Sequence, residues 1–380
     1  MRVLNLSQSY APAWSFGGPV RSMHELNTAL VAQECEVRVL TTSIRGSEDP
    51  PMPSENRWHV RDGVQVRYAG RSTLGRLRLA QKLAACLRWA DVVHLNGFFV
   101  PFLPLVLAEL SVLGSQKRLV VSPRGSLSPW SLRQRHRKKS LALRCLTPAL
   151  NRVDLYHCTS RFEADGLERL GLGPIAVIPN GVNAPRTLPA KNTVPNRLLM
   201  LGRLHPVKGC QLALKALRRM VERNIEPELI FAGPDENGYR GELERYARRL
   251  GVRGRVTFQG QVTGEEKVSL LRSSALLWLP SRHENFGNVV PEALVHELPV
   301  IASDQTPWGS LNRQQCGRHI GLSAEAFAAA SEELLKSPEA LHAMGKRGRT
   351  WALKEFNWMN IALRFENAYV SDTGVSRPTA

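Results

Sequence analysis

Short apolar runs alternate with helix-length segments from the start of the chain. Residues 19–33 and 128–146 have helical spacing and lie between buried-strand patterns. The strand patterns of this first half are residues 3–7, 37–42, 91–95, 118–122, 155–159 and 175–178. Because near-continuous apolar strands separated by crossover helices are typical of a parallel sheet covered on both faces, the pattern predicts a doubly wound α/β lobe.

The same pattern restarts after a connector. Residues 180–196 carry prolines and show no periodicity, and five further strand patterns follow, at residues 198–202, 229–232, 256–258, 276–279 and 300–302. We therefore predict two Rossmann-like lobes, residues 1–179 and 197–355, with a central cleft where ligands meet the carboxyl ends of the strands. Residues 323–369 are predicted to be helical, and residues 356–380 are assigned to a final helix and a frayed tail.

Composition agrees with a globular chain, since 43% of the 380 residues are hydrophobic and 22% are charged. The longest apolar stretch, residues 98–110, falls short of the ~20 residues that cross a bilayer, and Gln8 and Ser9 interrupt any signal-like N-terminus. We expect a cytoplasmic protein. The six cysteines are scattered and are interpreted as reduced, without a disulfide or zinc pattern.

The net charge of +18 predicts a polyanionic partner. Nucleic acid, an anionic membrane surface and phosphorylated small molecules all fit this charge, which cannot choose among them. The motifs along the chain are more selective.

The most informative motif lies in residues 280–294, after a strand pattern and at the start of a helix near Gly287. Unsatisfied amides in the first turn of a helix attract anions, so a phosphate fits there. Glu284 and Glu292, separated by seven residues, can accept hydrogen bonds from sugar hydroxyls on either side. The motif predicts a ligand that has a phosphate between two sugars.

A second motif, residues 201–209, ends the first strand of the second lobe. Arg203 and Lys208 leave this strand toward the predicted cleft, where two cations could neutralise a diphosphate. Such a pair removes the need for a metal, and the chain contains no Asp-x-Asp pair of the kind that holds a divalent ion. In the first lobe, Gly17 and Gly18 follow the first strand and permit close approach of a ligand, although a simple tight turn is an alternative.

Together these motifs resemble the series found in retaining family 4 glycosyltransferases of the GT-B fold. The matching segments are Gly17-Gly18, Asp91-Val-Val-His-Leu-Asn96, Ile178-Pro-Asn-Gly-Val-Asn183, Leu201-Gly-Arg-Leu-His-Pro-Val-Lys-Gly209 and Glu284-Asn-Phe-Gly-x4-Glu292, in the family's order. The resemblance implies two doubly wound lobes with a central cleft and a C-terminal helix that crosses back to the first lobe.

The resemblance also implies roles for single residues. Arg203 and Lys208 would hold the donor diphosphate, Glu284 the donor sugar and Glu292 the ribose. The first-lobe glycines Gly17 and Gly18 would approach the donor phosphate, and the second-lobe phosphate contacts would be the amides of Phe286, Gly287 and Asn288. No cofactor or metal is implied beyond the nucleotide-sugar substrate.

Three positions depart from the resemblance or have more than one interpretation. Relatives often carry His where this chain has Arg124, a cation that could still bind a substrate phosphate or hydroxyl. Trp308 could shape the donor base pocket or simply pack, and His94 is interpreted as a structural residue at the end of a strand.

The implied reaction is transfer of a sugar, with retention, from a nucleotide-diphosphate sugar to a hydroxyl of a glycan or lipid-linked acceptor in polysaccharide or glycolipid synthesis. Basic segments could dock the enzyme peripherally on the cytoplasmic face of an anionic membrane. Their basic residues are Arg71, Arg76, Arg78, Lys82, Arg133, Arg135, Arg137, Lys138 and Lys139. A solvated helix face is the alternative.

Other classes remain open at this stage. A nucleotide-sugar epimerase or a phosphorylase of the same two-lobed shape would act on the donor without an acceptor. A nucleic-acid-binding protein would suit the charge, but the chain has no aromatic-rich motif for stacking bases, and no nucleic-acid partner is expected. The sequence does not specify the donor base, the donor sugar, the acceptor or the oligomeric state.

Overall fold

The computed structural model describes residues 1–46, 49–70, 73–100, 102–113, 117–133 and 136–371. The chain forms two compact units. Unit 1 contains Met1–Gly181 and Trp358–Ala380, and unit 2 contains Val182–Asn357. The tail that is predicted to fray lies, from residue 372 onward, outside the described residues.

Unit 1 is built on a sheet of eight strands in the order β3-β4-β2-β1-β5-β6-β7-β8. The strands are β1 (Arg2–Ser7), β2 (Glu36–Thr42), β3 (Trp58–Arg61), β4 (Val64–Ala69), β5 (Val92–Asn96), β6 (Arg118–Ser122), β7 (Leu155–Cys158) and β8 (Ile175–Val177). Val3 of β1 pairs with Val37 on one side and Val92 on the other, both in parallel. The six predicted strands of this lobe are therefore confirmed within one or two residues.

The hairpin of β3 and β4 was not predicted, and β3 is an antiparallel exception in the sheet. Its strands mix apolar and polar residues, and β3 is only partly buried, so they lack the continuous apolar signature of the other strands. The turn does have a sequence signal: Asp62 and Gly63 have φ values of 49° and 79°, the left-handed conformation of a two-residue hairpin turn.

Helices cover the sheet of unit 1. They are α1 (Gly18–Ala32), α2 (Thr73–Trp89), α3 (Phe102–Leu113), α4 (Pro129–Arg133), α5 (His136–Leu150) and α6 (Arg161–Glu168). The helix predicted over residues 128–146 is helical wherever the structure describes it, as α4 and α5, and residues 134 and 135 between them lie outside the described residues.

Unit 2 contains six parallel strands in the order β11-β10-β9-β12-β13-β14. They are β9 (Arg197–Leu201), β10 (Glu228–Ala232), β11 (Val256–Gly260), β12 (Leu276–Leu279), β13 (Val300–Ser303) and β14 (Gly317–Ile320). The edge strand β14 was not predicted, because Ile320 is its single large apolar residue. The helices are α7 (Cys210–Glu222), α8 (Tyr239–Arg249), α9 (Gly264–Ser273), α10 (Val289–Val295), α11 (Ser310–Arg313), α12 (Ala324–Leu335) and α13 (Pro338–Glu355).

The last helix, α14 (Trp358–Val370), belongs to unit 1. Its residues Ile361, Ala362 and Phe365 are buried in the same cluster as Leu26 and Leu30 of α1. The Gln33 side chain, just after α1, donates from Nε2 to the carbonyl of Met359 at 2.7 Å. The prediction that the final helix returns to the first lobe is confirmed.

Candidate active site

The predicted site residues of unit 2 gather at the carboxyl ends of two adjacent strands. Arg203 follows β9, and Ser281 follows β12, which pairs with β9 in parallel. Parallel neighbours end at the same edge of a sheet, and loops at that edge form the usual ligand site of such folds. This edge therefore brings the two most informative motifs together.

The loop after β9 is shaped by a glycine. Lys208 ends a short 3-10 turn, Pro206–Lys208, and Gly209 follows with a φ of 73°. A Cβ atom at Gly209 would lie 1.9 Å from the carbonyl oxygen of Pro280, so the turn and the close approach both require glycine. The amide of Arg282 donates to the carbonyl of Val207 at 2.8 Å, which fastens the two loops to each other.

Glu284 is the centre of the site. Its carboxylate is buried, and its Oε1 atom accepts hydrogen bonds from Lys208 Nζ at 2.6 Å and from Ser281 Oγ at 2.7 Å. Two donors on one oxygen fix the rotation of the carboxylate, and no described side chain bonds its second oxygen, Oε2. Burial of the neighbouring His283 lowers the pKa of that imidazole, opposed by the Glu284 charge and aided by Lys208.

Glu292 lies in the first turn of α10, where the sequence places it. Its Oε2 atom pairs with Lys267 Nζ of α9 at 2.8 Å. Lys267 was not predicted as a site residue, because it lies 25 positions before Glu292 and no short motif connects the two. The pair holds the second carboxylate of the motif in one orientation.

Arg203 also has a partner that the sequence analysis missed. Its Nη1 atom lies 2.7 Å from Glu236 Oε2, and the arginine side chain is 52% exposed. Exposed pairs contribute about 0–1 kcal/mol, so an incoming phosphate can displace this carboxylate at small cost. Arg203 and Lys208 line the same small cavity beside Gly202, Leu279 and Ser281.

The segment between the two glutamates is anchored by aromatic packing. Phe286 is buried against Trp308 and Phe356, and the indole N–H of Trp308 donates to the Phe286 carbonyl. Gly287 has a φ of 85°, and Asn288 precedes the first residue of α10. Trp308 is itself buried, which confirms that it packs in the core.

In unit 1, Gly17 and Gly18 lie where β1 leads into α1. Gly17 has a φ of 78°, Gly18 is the first residue of the helix, and a Cβ atom added at Gly17 would meet no described atom within 4 Å. The glycine is needed for its left-handed conformation, and the space beside it is open to a ligand.

Asp49, which the sequence analysis also missed, fastens the loop before these glycines. Its carboxylate accepts from the amide and hydroxyl of Ser15 at 2.7 and 2.6 Å and from the amide of Gly46 at 2.8 Å. Burial opposes ionisation, yet these hydrogen bonds together lower the pKa of Asp49.

Arg124 follows β6 in a left-handed conformation, with a φ of 54°. Its guanidinium donates to Asn96 Oδ1 from Nε at 3.2 Å and from Nη2 at 3.0 Å, and to Asn180 Oδ1 from Nη1 at 3.1 Å. His94, on the neighbouring strand β5, is fully buried and bonded to Tyr369 and Ser122. The structural interpretation of His94 is confirmed.

The two α/β units, each built on a largely parallel sheet, define the class of fold, which is GT-B. HepE of Anabaena, solved in complex with UDP and glucose, aligns with a TM-score of 0.75 and 19% identity over 97% of this chain and 99% of its own. Sucrose-phosphate synthase of Thermosynechococcus elongatus aligns with a TM-score of 0.73 and 20% identity over 97% and 98% of the two chains.

Sequence comparison narrows the class to a family. The family model for glycosyltransferase family 4 matches residues 16–186, and that for group 1 glycosyl transferases matches residues 186–351. Glycogen synthase of Mycobacterium tuberculosis is 28% identical over 98% of this chain and 95% of its own. The chain belongs to the group 1, family 4 glycosyltransferases.

Proposed function

We propose that the protein transfers a sugar, with retention of anomeric configuration and without a metal ion, from a nucleoside-diphosphate sugar to a hydroxyl of a glycan or lipid-linked acceptor. The observation that carries this proposal is the buried Glu284 carboxylate, held by Lys208 and Ser281 beside Arg203. The arrangement offers cations for a diphosphate and an oriented acceptor for a sugar hydroxyl.

The two cations act on the leaving group. Lys208 uses one N–H on Glu284, and an ammonium has three to donate, so the others can bond phosphate oxygens. Arg203 exchanges Glu236 for phosphate when the donor binds. Fixed cations stabilise the charge that develops on the departing diphosphate, and they supply the neutralisation that a divalent ion provides in other enzymes.

Glu284 positions the donor sugar and does not attack it. Its Oε1 atom accepts from two donors, which orients Oε2 as an acceptor for a sugar hydroxyl. We assign a same-face displacement, in which the acceptor hydroxyl attacks the anomeric carbon as the bond to the diphosphate breaks. The diphosphate oxygen takes the hydroxyl proton, so the charge on the leaving group is partly neutralised within the step.

Glu292 is assigned to the ribose, oriented by Lys267. The backbone from Phe286 to Asn288 and the glycines Gly17 and Gly18 are assigned to the donor phosphates, as the family resemblance implies. The base and the sugar stay unassigned.

A lipid-linked acceptor is supported by a second relative. GDP-mannose:cellobiosyl-diphosphopolyprenol alpha-mannosyltransferase of Xanthomonas oryzae is 26% identical over 83% of each chain. Among the described residues, no helix is both long and apolar enough to cross a bilayer. We propose that unit 1 docks reversibly on the cytoplasmic face of an anionic membrane.

The docking face rests on the part of the basic segments that the structure describes. Lys82 and Lys138 are exposed, whereas Lys139 is bonded to Ser131 at 2.6 and 2.8 Å. Trp130 and Leu141, 39% and 64% exposed, add apolar area. Arg71 and Arg135 lie outside the described residues, as do the side chains of Arg76, Arg78, Arg133 and Arg137. Each basic residue near an anionic leaflet contributes ~1 kcal/mol.

The transfer reaction is tested by product stereochemistry. Nucleoside diphosphates are first screened for thermal stabilisation, and the matching donor is then incubated with a polyprenyl-diphosphate glycan and the product examined by proton NMR. An α-linked product from an α-linked donor, formed in the presence of EDTA, supports the proposal. An inverted linkage, or turnover of donor that needs no acceptor, contradicts it.

Docking is tested by co-sedimentation with phosphatidylserine vesicles at increasing salt. Lys82→Glu with Lys138→Glu is expected to weaken binding, whereas Lys215→Glu, an exposed lysine of α7, serves as the charge-matched control. Binding that ignores salt, or equal loss in both variants, would exclude this face.

A further inference from the structure

A continuous chain of hydrogen bonds runs through the interior of unit 1. It joins seven side chains, from the carboxyl end of the sheet to the turn between β3 and β4: Arg124, Asn96, Asn5, Asn27, Tyr10, His24 and Asp62. Three of its members, Asn5, Asn27 and Tyr10, are fully buried.

The first half of this hydrogen-bond chain consists of asparagine side chains from three secondary-structure elements. Asn96 of β5 accepts from Arg124 on Oδ1 and donates from Nδ2 to Asn5 Oδ1 at 2.9 Å. Asn5 of β1 in turn donates from Nδ2 to Asn27 Oδ1 of α1 at 2.7 Å. Each amide therefore uses its oxygen toward Arg124 and its nitrogen away from it.

The second half continues in the same direction. Asn27 Nδ2 donates to the Tyr10 hydroxyl at 3.2 Å, which donates to His24 Nδ1 at 3.1 Å. His24 Nε2 then donates to Asp62 Oδ2 at 2.9 Å. The chain begins on a guanidinium, which can only donate, and ends on a carboxylate, which accepts. These two ends fix the orientation of every amide between them, because flipping one amide would set donor against donor.

A second chain of hydrogen bonds ends two residues before Asn180, the other partner of Arg124. Tyr369 donates to His94, His94 to Ser122, Ser122 to His157 and His157 to the carbonyl of Ile178, at 2.7, 2.6, 2.6 and 2.8 Å. Ile178 lies two residues before Asn180, the amide that accepts from Arg124 Nη1. Arg124 therefore donates to acceptors on both sides, and the first chain orients one of them, Asn96.

The direct partners of Arg124 are neutral. Asn96 and Asn180 carry no charge, and no described carboxylate lies within ion-pair distance of the guanidinium. Desolvation lowers the pKa of Arg124, opposed by the more distant charge of the buried Glu163, and a charge that is removed from water without a direct ion pair is costly in a protein. The described hydrogen bonds use three of its five N–H groups.

We propose that Arg124 binds a phosphate oxygen of a substrate, and that Asn96, Asn5 and Asn27 are positioning residues that aim its remaining N–H groups. This inference rests on the proposed glycosyl transfer for the identity of the substrate. The cost of burying the guanidinium is offset when the anion binds, and a guanidinium that is already oriented loses little freedom at that moment.

The test observes Arg124 directly, by NMR of arginine Nε–H groups in the full chain, with Arg124→Lys used to assign the resonance. Inorganic phosphate is expected to shift the Arg124 resonance. UDP and geranyl diphosphate then distinguish a phosphate of the donor from one of the acceptor, and a shift with either supports the proposal. A resonance that none of the three moves would overturn it.

The positioning claim is tested at a distance from Arg124. Asn27→Leu leaves Asn5 Nδ2 without an acceptor and is expected to lower the Tm. The double variant Asn5→Leu, Asn27→Leu also removes the unpaired Asn5 amide and is expected to recover part of that Tm, but not all of it, because Asn96 Nδ2 then loses its acceptor. If the hydrogen-bond chain positions Arg124, the Arg124 Nε–H of the double variant exchanges with water faster than that of wild type, even though the Tm has partly recovered. The KM of the double variant for the phosphate-bearing substrate is then about tenfold higher. Recovery of both Tm and KM would show that the chain is structural only.

Chemical rescue provides a second readout. Arg124→Ala is expected to raise the same KM by about 10- to 100-fold, the equivalent of one charge-assisted bond. Millimolar guanidinium chloride should restore activity to Arg124→Ala, but not to Arg124→Ala combined with Asn96→Leu, which removes the acceptor for the added ion. Equal rescue of both variants contradicts a positioning role for Asn96.

Failure of the proposed function is distinguishable from failure of this inference. If no donor supports transfer but phosphate shifts the Arg124 resonance in the wild type and not in the double variant, the positioned anion site stands alone. If transfer occurs but no phosphate compound shifts the Arg124 resonance, the proposed transfer stands and the anion site at Arg124 is excluded.

Discussion

The two units place their polar groups differently. In unit 1, buried neutral side chains lie on the central strands themselves: Asn5 on β1, His94 and Asn96 on β5, Ser122 on β6 and His157 on β7. In unit 2, the central strands β9 and β12 are apolar except for Arg197 at the start of β9, and the charged groups of the site lie outside these strands in pairs such as Lys208–Glu284 and Lys267–Glu292.

This difference in polar groups determines how each unit can respond to a ligand. An ion pair at the edge of a sheet exchanges one partner for a phosphate or a hydroxyl at little cost when it is exposed. A buried chain of neutral hydrogen bonds cannot exchange a member without leaving another group unpaired, which costs about 1–3 kcal/mol. Unit 2 thus supplies charges to a substrate, whereas unit 1 supplies fixed orientation.

The largest effect is expected when a charge is removed from the site in unit 2. Lys208→Ala is expected to lower kcat by about 10²- to 10³-fold, the usual loss when one group that stabilises a leaving-group charge is removed. Steady-state kinetics with the preferred donor measure it, with Lys215→Ala as the control at an exposed lysine of α7. A kcat within a factor of about three of wild type would remove Lys208 from the reaction.

A second change tests the division of labour inside unit 2. Glu284→Gln keeps the shape of the side chain but weakens its bond to Lys208, and we expect kcat to fall about 10²-fold while affinity for the nucleoside diphosphate changes little. Isothermal titration with the diphosphate alone separates the two effects. Loss of diphosphate affinity would mean that Glu284 serves the phosphates through Lys208 and not the sugar.

The buried chains of unit 1 predict a dependence of stability on pH. Burial lowers the pKa of His157 from 6.5 to about 3, and burial also holds the pKa of His94 well below 6.5. Below pH 6.5 the unfolded chain therefore binds protons that the folded chain refuses, so the free energy of unfolding falls as pH decreases. Each such histidine contributes a slope of about 1.4 kcal/mol per pH unit.

Replacing one histidine isolates this effect. His157→Gln keeps a donor and an acceptor but does not titrate, so between about pH 6 and pH 4.5 its free energy of unfolding should depend less on pH than that of wild type, by the contribution of one group. Urea unfolding across this range measures both slopes. Parallel slopes would indicate that His157 is protonated in the folded protein.

The smallest effect is expected at Lys267, the partner of Glu292 at the periphery of the site. Lys267→Ala removes a partly exposed partner of Glu292 and should weaken nucleoside-diphosphate binding by only a few fold, in line with about 0.2–1 kcal/mol for such pairs. Titration calorimetry detects a change of this size. A loss beyond about 30-fold would place Lys267 in direct contact with the ligand.

The sequence predicted most of the architecture because buried parallel strands have a continuous apolar signature. Every strand with that signature was found, and the misses, β3, β4 and β14, are strands in which polar residues interrupt the pattern.

The candidate site was predictable where its chemistry is local. Lys208, Glu284 and Glu292 lie in compact motifs, and the structure pairs the first two directly. The partners that orient these groups, Lys267 and Glu236, are distant in sequence and ordinary in type, so no pattern singles them out. The chain from Arg124 to Asp62 has the same character, because its order exists only after the strands have paired.

The return of α14 to unit 1 has a consequence for how the protein is made. Tyr369 donates to His94, and Phe365 packs against His157, so the interior of unit 1 includes side chains that are synthesised after all of unit 2. Domains generally fold as units during translation, N-terminal parts first. Unit 1 can complete its core only after α14 has been synthesised. An N-terminal fragment that stops at Gly181 would lack the side chains of α14 that fill this core.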